Sequence, residues 1–228
     1  MVGDASNRQA AESAGFRTVA AGFEAALGDR SIDAVCIAAP ISQRARMVAE
    51  ACRAGKDVWV EPPVCASLDE GRRMVEAARR HRRVVQAGTV WRSSRPFQDA
   101  RRAVRSGDLG EIVFCRAFAA SPLHLMDLLQ FTFDEAVPAS VAVQGSRGNL
   151  LAVFRYPGFV ASYERRGTAD PAIAFHGSTA TLLVDPRDDT ARAAHWRNFG
   201  ESIGSRRRPV SDIETAVRST AATWRLNL

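Results

Sequence analysis

Three short runs constrain the fold of this chain more than anything else in it: DAVCIAAP (33–40), DVWVEP (57–62) and RVVQAGTV (83–90). Each is apolar at consecutive positions, the pattern of a strand buried on both faces of a parallel sheet. Helical segments separate them. Between the first two, Ala45, Val48, Ala49 and Cys52 recur at helical spacing, and Gly55 stands at the C′ position. Between the second and third, Ser67 and Glu70 form a capping box opening a helix with Leu68, Val75 and Ala78 inward. Upstream, SNRQAAESAG (6–15) reads as a helix with a Ser6–Gln9 capping box and Gly15 as its stop, followed by a short strand and the helix FEAALGD (23–29). Strand–helix alternation of this kind predicts a doubly wound parallel sheet.

After residue 92 the rhythm changes. A helix over Pro96–Ser106 ends at GDLG, the strand EIVFCRAF (111–118) follows, and a helix is expected around His124–Phe133. Five strands then succeed one another, SVAVQG, NLLAVFRY, FVASYERR, AIAFHG and TLLVD, with turn-like connections that argue for a mostly antiparallel sheet. Two helices close the chain, separated by RRRPVSD, where Ser211 and Glu214 suggest a third capping box. The expected fold is α/β: an incomplete Rossmann-like parallel sheet over residues 1–92, then an α+β domain with an open, mostly antiparallel sheet over 93–228.

Composition narrows the function classes. No apolar run approaches the ~20 residues of a membrane span, and no signal peptide is visible after Met1, so a cytoplasmic location is the expectation unless an export signal lies upstream of the present start. The four cysteines, Cys36, Cys52, Cys65 and Cys115, fall at no metal-ligand spacing and read as buried, reduced thiols. The formal charge is +6, yet Lys56 is the only lysine among 31 basic residues, a bias that says little about partners. The arginines gather in RRHRR (79–83) and SRRRP (205–209). The first run complements the dipole at a helix C-terminus, and neither is interleaved with stacking aromatics. Both read as solvated surface, and nucleic acid is not an expected partner.

Taken together, DAVCIAAP, AGKDVWVEPP, VVQAGTVWRS, RSGDLGEI and HLMD resemble the Gfo/Idh/MocA oxidoreductases. AIAFHGSTATLLVD and the ending HWRNFGESIGSRRRPVSDIETAVRST are similar to that family's second domain. The resemblance implies an NAD or NADP cofactor, a sugar- or cyclitol-like alcohol as substrate, and subunits that pair through the open sheet of the second domain as a homo-oligomer. It implies no metal.

Residue by residue, the resemblance makes His124 in HLMD the catalytic base, a task suited to an imidazole with a pKa near ~6.5. Taken alone, a histidine opening an apolar helix is equally compatible with a structural role. Asp4 corresponds to the acid on the adenosine ribose, although by itself it is simply an acidic residue near a terminus. Ala39, Pro40, Glu61 and Arg92 would border the cofactor. Departures from the family pattern are just as specific. Where the family has Glu-Lys-Pro, this chain has Glu61-Pro62-Pro63. Proline carries no donor, and losing one preorganised donor costs on the order of 10²–10³ in rate. Lys56 cannot substitute, because it lies at the other end of the same strand, roughly 16 Å away at ~3.3 Å per residue. Ala120 stands where the family often has an aspartate, the Ala119–Pro122 loop is short, and Arg44 replaces a common histidine. No GxGxxG turn occurs in the sequence, and Met-Val-Gly-Asp resembles the end of the family's second strand, as expected of an N-terminally truncated member. These departures raise an alternative: a catalytically inactive remnant that keeps the fold for ligand binding or assembly.

Overall fold

The computed structural model describes residues 22–118, 121–134, 136–145, 149–166, 172–185 and 188–224. The expected helix over 6–15, Asp4, Ala119 and Ala120 lie outside the described residues.

The first half is built on strands β1 (Ala34–Ile37), β2 (Asp57–Val60) and β3 (Val85–Ala87), parallel and in the order β1-β2-β3. Helix α1 (Phe23–Gly28) precedes β1, α2 (Ile41–Arg53) connects β1 to β2, and α3 (Leu68–Arg80) connects β2 to β3. All four β2 residues are buried, as a central strand requires. β1 departs from expectation: Ala34 and Val35 are half-buried and Cys36 is exposed, leaving Ile37 alone in the core. Among the described residues β1 pairs only with β2, so it lacks the second neighbour that a doubly buried strand needs.

Helix α2 buries Ala45, Val48, Ala51 and Cys52, so Ala51 rather than Ala49 completes the inward stripe. Gly55 sits at φ 79, the left-handed C′ conformation expected of it. In α3 the Ser67 hydroxyl accepts from the Glu70 amide at 3.2 Å, and the Glu70 carboxylate reaches back to the Ala66 amide at 2.8 Å. The inward face is Gly71, Met74 and Ala78, while Leu68, in the first turn, is 48% exposed, contrary to expectation. A side chain at Gly71 would place its Cβ 2.5 Å from Val217, so the glycine permits α3 to pack against α7 (Ile213–Trp224).

A 3₁₀ turn (Val90–Ser93) leads into α4 (Arg95–Ser106), which ends at Gly107 with φ 81. Strand β4 (Ile112–Phe118) and helix α5 (Pro122–Thr132) follow, then β5 (Ser140–Gly145), β6 (Asn149–Arg155), β7 (Val160–Arg166), β8 (Ala172–Gly177) and β9 (Thr181–Val184). The six strands form one sheet in the order β5-β6-β7-β4-β8-β9, antiparallel except for the β4–β7 pair. One face, with Leu150, Ala152, Phe154, Tyr163, Cys115 and Phe175, joins Leu125, Leu128 and Leu129 of α5 in the larger core. The opposite face carries Leu151, Leu183 and the Arg116–Glu164 ion pair at 2.8 Å. A mostly antiparallel sheet is what the strand succession anticipated.

Helix α6 (Ala191–Ser205) lies over β2 and β3, its Trp196 stacked on Trp59 with ring centroids 4.6 Å apart. Helix α7 then joins both cores: Ile213, Ala216 and Val217 pack with the parallel sheet, and Ala222 packs with the larger cluster. Its N-terminus is capped by Asp212, whose Oδ1 accepts from the Glu214 amide at 2.9 Å. The expected cap, Ser211, instead bonds the Thr89 hydroxyl at 2.8 Å. A buried partner was available to the serine, and the neighbouring carboxylate took over the helix end.

Candidate cofactor cleft

In an open parallel sheet, ligands gather outside the carboxyl ends of the strands. Here that edge is made by Ala39 and Pro40 after β1, by Glu61, Pro62 and Pro63 after β2, and by Gly88 after β3. Pro40 caps α2 and its carbonyl accepts from Gln43 at 2.9 Å. The Glu61 amide bonds the Ile37 carbonyl at 3.0 Å, and the Gly88 amide bonds the Val60 carbonyl at 2.9 Å, carrying the strand pairing one step into the turns. Gly88 allows the approach, since a Cβ there would stand 2.5 Å from the Trp59 ring and 3.3 Å from Pro62 Cδ. The Pro62–Pro63 peptide is cis.

Arg44, which carries no role in the sequence reading beyond replacing a histidine, is the residue that ties this edge together. Its Nε donates to the Ala39 carbonyl at 2.7 Å, and its Nη1 to the carbonyls of Glu61 at 2.9 Å and Pro63 at 2.5 Å. Burial lowers its pKa from the ordinary arginine value, while the Glu61 charge works the other way. One guanidinium thus bridges the turns after β1 and β2. The signal for it was its position one turn into a helix that starts at the cleft.

His124 enters from α5. Its ring lies against Trp91 with centroids 4.3 Å apart, tilted by 33°, and among the described residues neither ring nitrogen has a hydrogen-bond partner. Burial lowers its pKa from the ordinary histidine value, partly offset by the Asp127 charge one turn on, which favours the neutral imidazole. A neutral ring with uncommitted nitrogens is the state a proton acceptor needs.

Arg92 is placed differently from a rim residue. Its guanidinium is 1% exposed, with Nε 2.8 Å from Asp127 Oδ2 and Nη2 3.2 Å from the Asp127 carbonyl. The structure therefore brings Ala39, Pro40 and Glu61 to one edge and sets His124 on Trp91, which follows Gly88 by three residues. Arg92 lies inward of that surface, holding α5. Lys56 is at the far end of β2, as expected, its Nζ donating to the Asp29 and Ile32 carbonyls at 2.7 and 2.8 Å.

All four cysteines are free, with Cys52, Cys65 and Cys115 buried and Cys36 exposed, contrary to the expectation that all are buried. Burial pushes the Cys52 thiol up to about 12 and, with the Glu61 charge, the Cys36 thiol up to about 11. Among the described residues no three His, Cys, Asp or Glu side chains converge as a metal site, and no helix is long and apolar enough to cross a membrane.

As a cradle for a dinucleotide the edge is half furnished. The Ala39–Pro40 and Glu61 turns stand side by side at the carboxyl ends of β1 and β2. The carbonyls that Arg44 occupies offer a phosphate nothing.

A three-stranded parallel sheet with crossover helices, an open carboxyl-end edge, and a second, mostly antiparallel sheet packed by the helix that carries His124 together define a Rossmann-type, two-sheet α/β architecture. Residues 2–89 match the family described as oxidoreductase family, NAD-binding Rossmann fold. The chain belongs to the Gfo/Idh/MocA oxidoreductases, an NAD-binding family. Inositol 2-dehydrogenase 1 of Saccharopolyspora erythraea is 33% identical over 176 residues, covering 70% of this chain and 48% of the relative. The NAD(+)-dependent scyllo-inositol 2-dehydrogenase of Bacillus subtilis is 32% identical over 92 residues, covering 40% of this chain and 27% of the relative. The chain thus spans between about a quarter and a half of the length of these curated relatives. Among solved structures, the myo-inositol dehydrogenase of Lactobacillus casei in complex with NAD(H) and myo-inositol superposes with a TM-score of 0.87 at 16% identity, over 99% of this chain and 84% of that one. A probable dehydrogenase from Thermotoga maritima gives 0.85 at 18% identity, over 97% and 86%. At these identities the likeness is one of fold.

Proposed function

We propose that this chain belongs to an NAD- or NADP-linked oxidoreductase acting on a sugar- or cyclitol-like alcohol, with His124 as the base. The observation that carries the reading is the His124 ring itself: tilted against Trp91, with no hydrogen-bond partner at either nitrogen among the described residues, and with burial lowering its pKa. When bound, the cofactor supplies the hydride acceptor. His124 takes the hydroxyl proton at a ring nitrogen as the alcohol carbon is oxidised. Trp91 orients the imidazole, and the Arg92–Asp127 pair fixes the helix that presents it. Ala39, Pro40 and Glu61 border the cofactor, with Asp4 assigned to its ribose. Residues 1–92 serve the cofactor and 93–228 the substrate and assembly. The inositol dehydrogenases among the relatives support cyclitols as the first substrates to try.

A second reading, a fold kept for ligand binding without turnover, is favoured by one residue. Pro62 offers no hydrogen to the reacting oxygen, and the loss of such a donor costs on the order of 10²–10³ in rate. NADH production from a panel of inositols and sugars, measured with wild type and His124→Ala, separates the two. Turnover abolished by the variant supports the dehydrogenase; no turnover with either protein supports the second reading.

A further inference from the structure

The two arginine runs that the cofactor cleft leaves unused meet in space. Arg79, Arg82 and Arg83, at the end of α3, and Arg206, Arg207 and Arg208, after α6, line one open groove of about 720 Å³ floored by Val85 and Ile213. It lies at the amino ends of the strands, because Arg83 Nη1 donates to the Gly55 carbonyl just before β2. The cofactor cleft is at the other end of the same sheet.

Half of this charge is already matched. Arg79 pairs with Glu214 at 2.6 Å, Arg206 with Asp57 at 2.8 Å and Arg208 with Asp212 at 2.6 Å. Among the described residues the Arg83 side chain hydrogen-bonds only the carbonyls of His81 and Gly55. Arg82 and Arg207 are exposed, and neither side chain has an ion pair or hydrogen bond among the described residues. Three guanidiniums therefore keep their full charge. The C-termini of α3 and α6 point here as well, but at about half a charge each they offset roughly one of the three.

The backbone adds a second observation. Arg82 has φ 52 and Arg206 has φ 55, left-handed positions just after two helices, where glycine is the favoured residue. The chain accepts that strain at two sites and both face the same groove. A surface needing only solubility could carry its charge one residue away and put glycine at the cap.

We propose that this groove binds a polyphosphate chain, a free pyrophosphate or triphosphate or the phosphate chain of a nucleotide. Guanidinium forks match phosphate oxygens in bidentate geometry. Recognition stops at the phosphates, since among the described residues no aromatic side chain lines the groove to stack a base. The same absence, with a pocket of single-nucleotide size, speaks against a nucleic-acid track. Nothing in this inference rests on the cofactor reading.

Calorimetric titration with tripolyphosphate, pyrophosphate and ATP in magnesium-free buffer tests it. One saturable site is expected, with a dissociation constant on the order of 10 µM at low salt and about tenfold weaker at high salt. ATP should bind no tighter than tripolyphosphate. Arg82→Gly and Arg207→Gln should each weaken binding several-fold, and together at least tenfold. Arg82→Gly should leave the melting temperature without anion unchanged or raised, because glycine relieves the positive φ. No saturation up to about a millimolar, or wild-type binding by the double variant, overturns the proposal. ATP binding tenfold tighter than tripolyphosphate, or a single-stranded oligonucleotide outcompeting it, overturns it in favour of nucleotide or nucleic-acid recognition.

Discussion

Arg92 and Asp127 form an ion pair at 2.8 Å with both side chains at most 2% exposed. Asp127 Oδ1 also lies 3.0 Å from the Ser219 hydroxyl, so the pair joins the turn after β3, helix α5 and helix α7. Breaking a buried pair from one side leaves the other charge unsatisfied, at a cost of about 3–5 kcal/mol. We predict that Asp127→Ala loses stability on that scale in urea denaturation. A paired Arg92→Met, Asp127→Leu variant should recover most of it. Additive losses in the double variant would contradict this account.

A second buried polar group makes the fold sensitive to acid. His195 Nε2 lies 2.7 Å from the Ala87 carbonyl, which accepts its proton, and Nδ1 lies 2.8 Å from the Ser93 hydroxyl. Burial lowers the His195 pKa, with the Ala87 bond working the other way. Below the unfolded value of ~6.5 the unfolded state binds more protons, so stability rises with pH through that window and is fully present above it. The melting temperature should therefore fall as pH drops from about 7.5 to about 5. His124, shifted in the same direction, adds to the slope. In His195→Gln the melting curve should be flatter with pH, even if the variant is less stable throughout.

Much of this architecture could be read from the chain. Consecutive apolar residues in DVWV predicted a doubly buried strand, and all four are buried. The same pattern misled at DAVCIAAP, because burial depends on the neighbouring strand and β1 has one neighbour among the described residues. Propensity marked Ser211 as a cap, but a tertiary partner, Thr89, took its hydroxyl. At the cleft, the turns with Ala39, Pro40 and Glu61 were legible because strand ends are local features. The Arg44 bridge was not, because it depends on where two turns meet in space. Nor was the burial of Arg92, although an aspartate inside the apolar run LHLMDLLQF signals a hidden cationic partner.

The outer face of the six-stranded sheet bears on assembly. Leu183 is 70% exposed and Leu151 41% exposed on strands β9 and β6, beside the Arg116–Glu164 pair. Apolar residues flanked by charge suit a self-complementary interface. We predict a homo-oligomer through this face, with Leu183→Asp shifting it toward monomer in sedimentation velocity at micromolar concentration. A wild-type monomer under those conditions would rule the interface out.

The last prediction concerns the affinity of this 228-residue chain for its family's cofactor. In a Rossmann fold the pyrophosphate is held by amides of the glycine turn and by the dipole of the helix behind it. The sequence contains no GxGxxG, and the rim carbonyls of Ala39, Glu61 and Pro63 are acceptors already engaged by Arg44. Only the contacts to ribose and nicotinamide proposed above would remain. Losing several charge-assisted bonds at ~1.5–3 kcal/mol each moves a micromolar site to millimolar or weaker. We therefore predict no saturable NAD or NADP binding below about a millimolar. Trp91 is the fluorescent reporter for the titration, since it lies against His124, whereas Trp59 is buried under Trp196. Pro62→Lys restores a donor to the reacting oxygen but no phosphate contact, so it should leave this weak affinity unchanged. Micromolar saturation by wild type, confirmed by calorimetry, would show that this chain holds the pyrophosphate with groups other than those at the Arg44 edge.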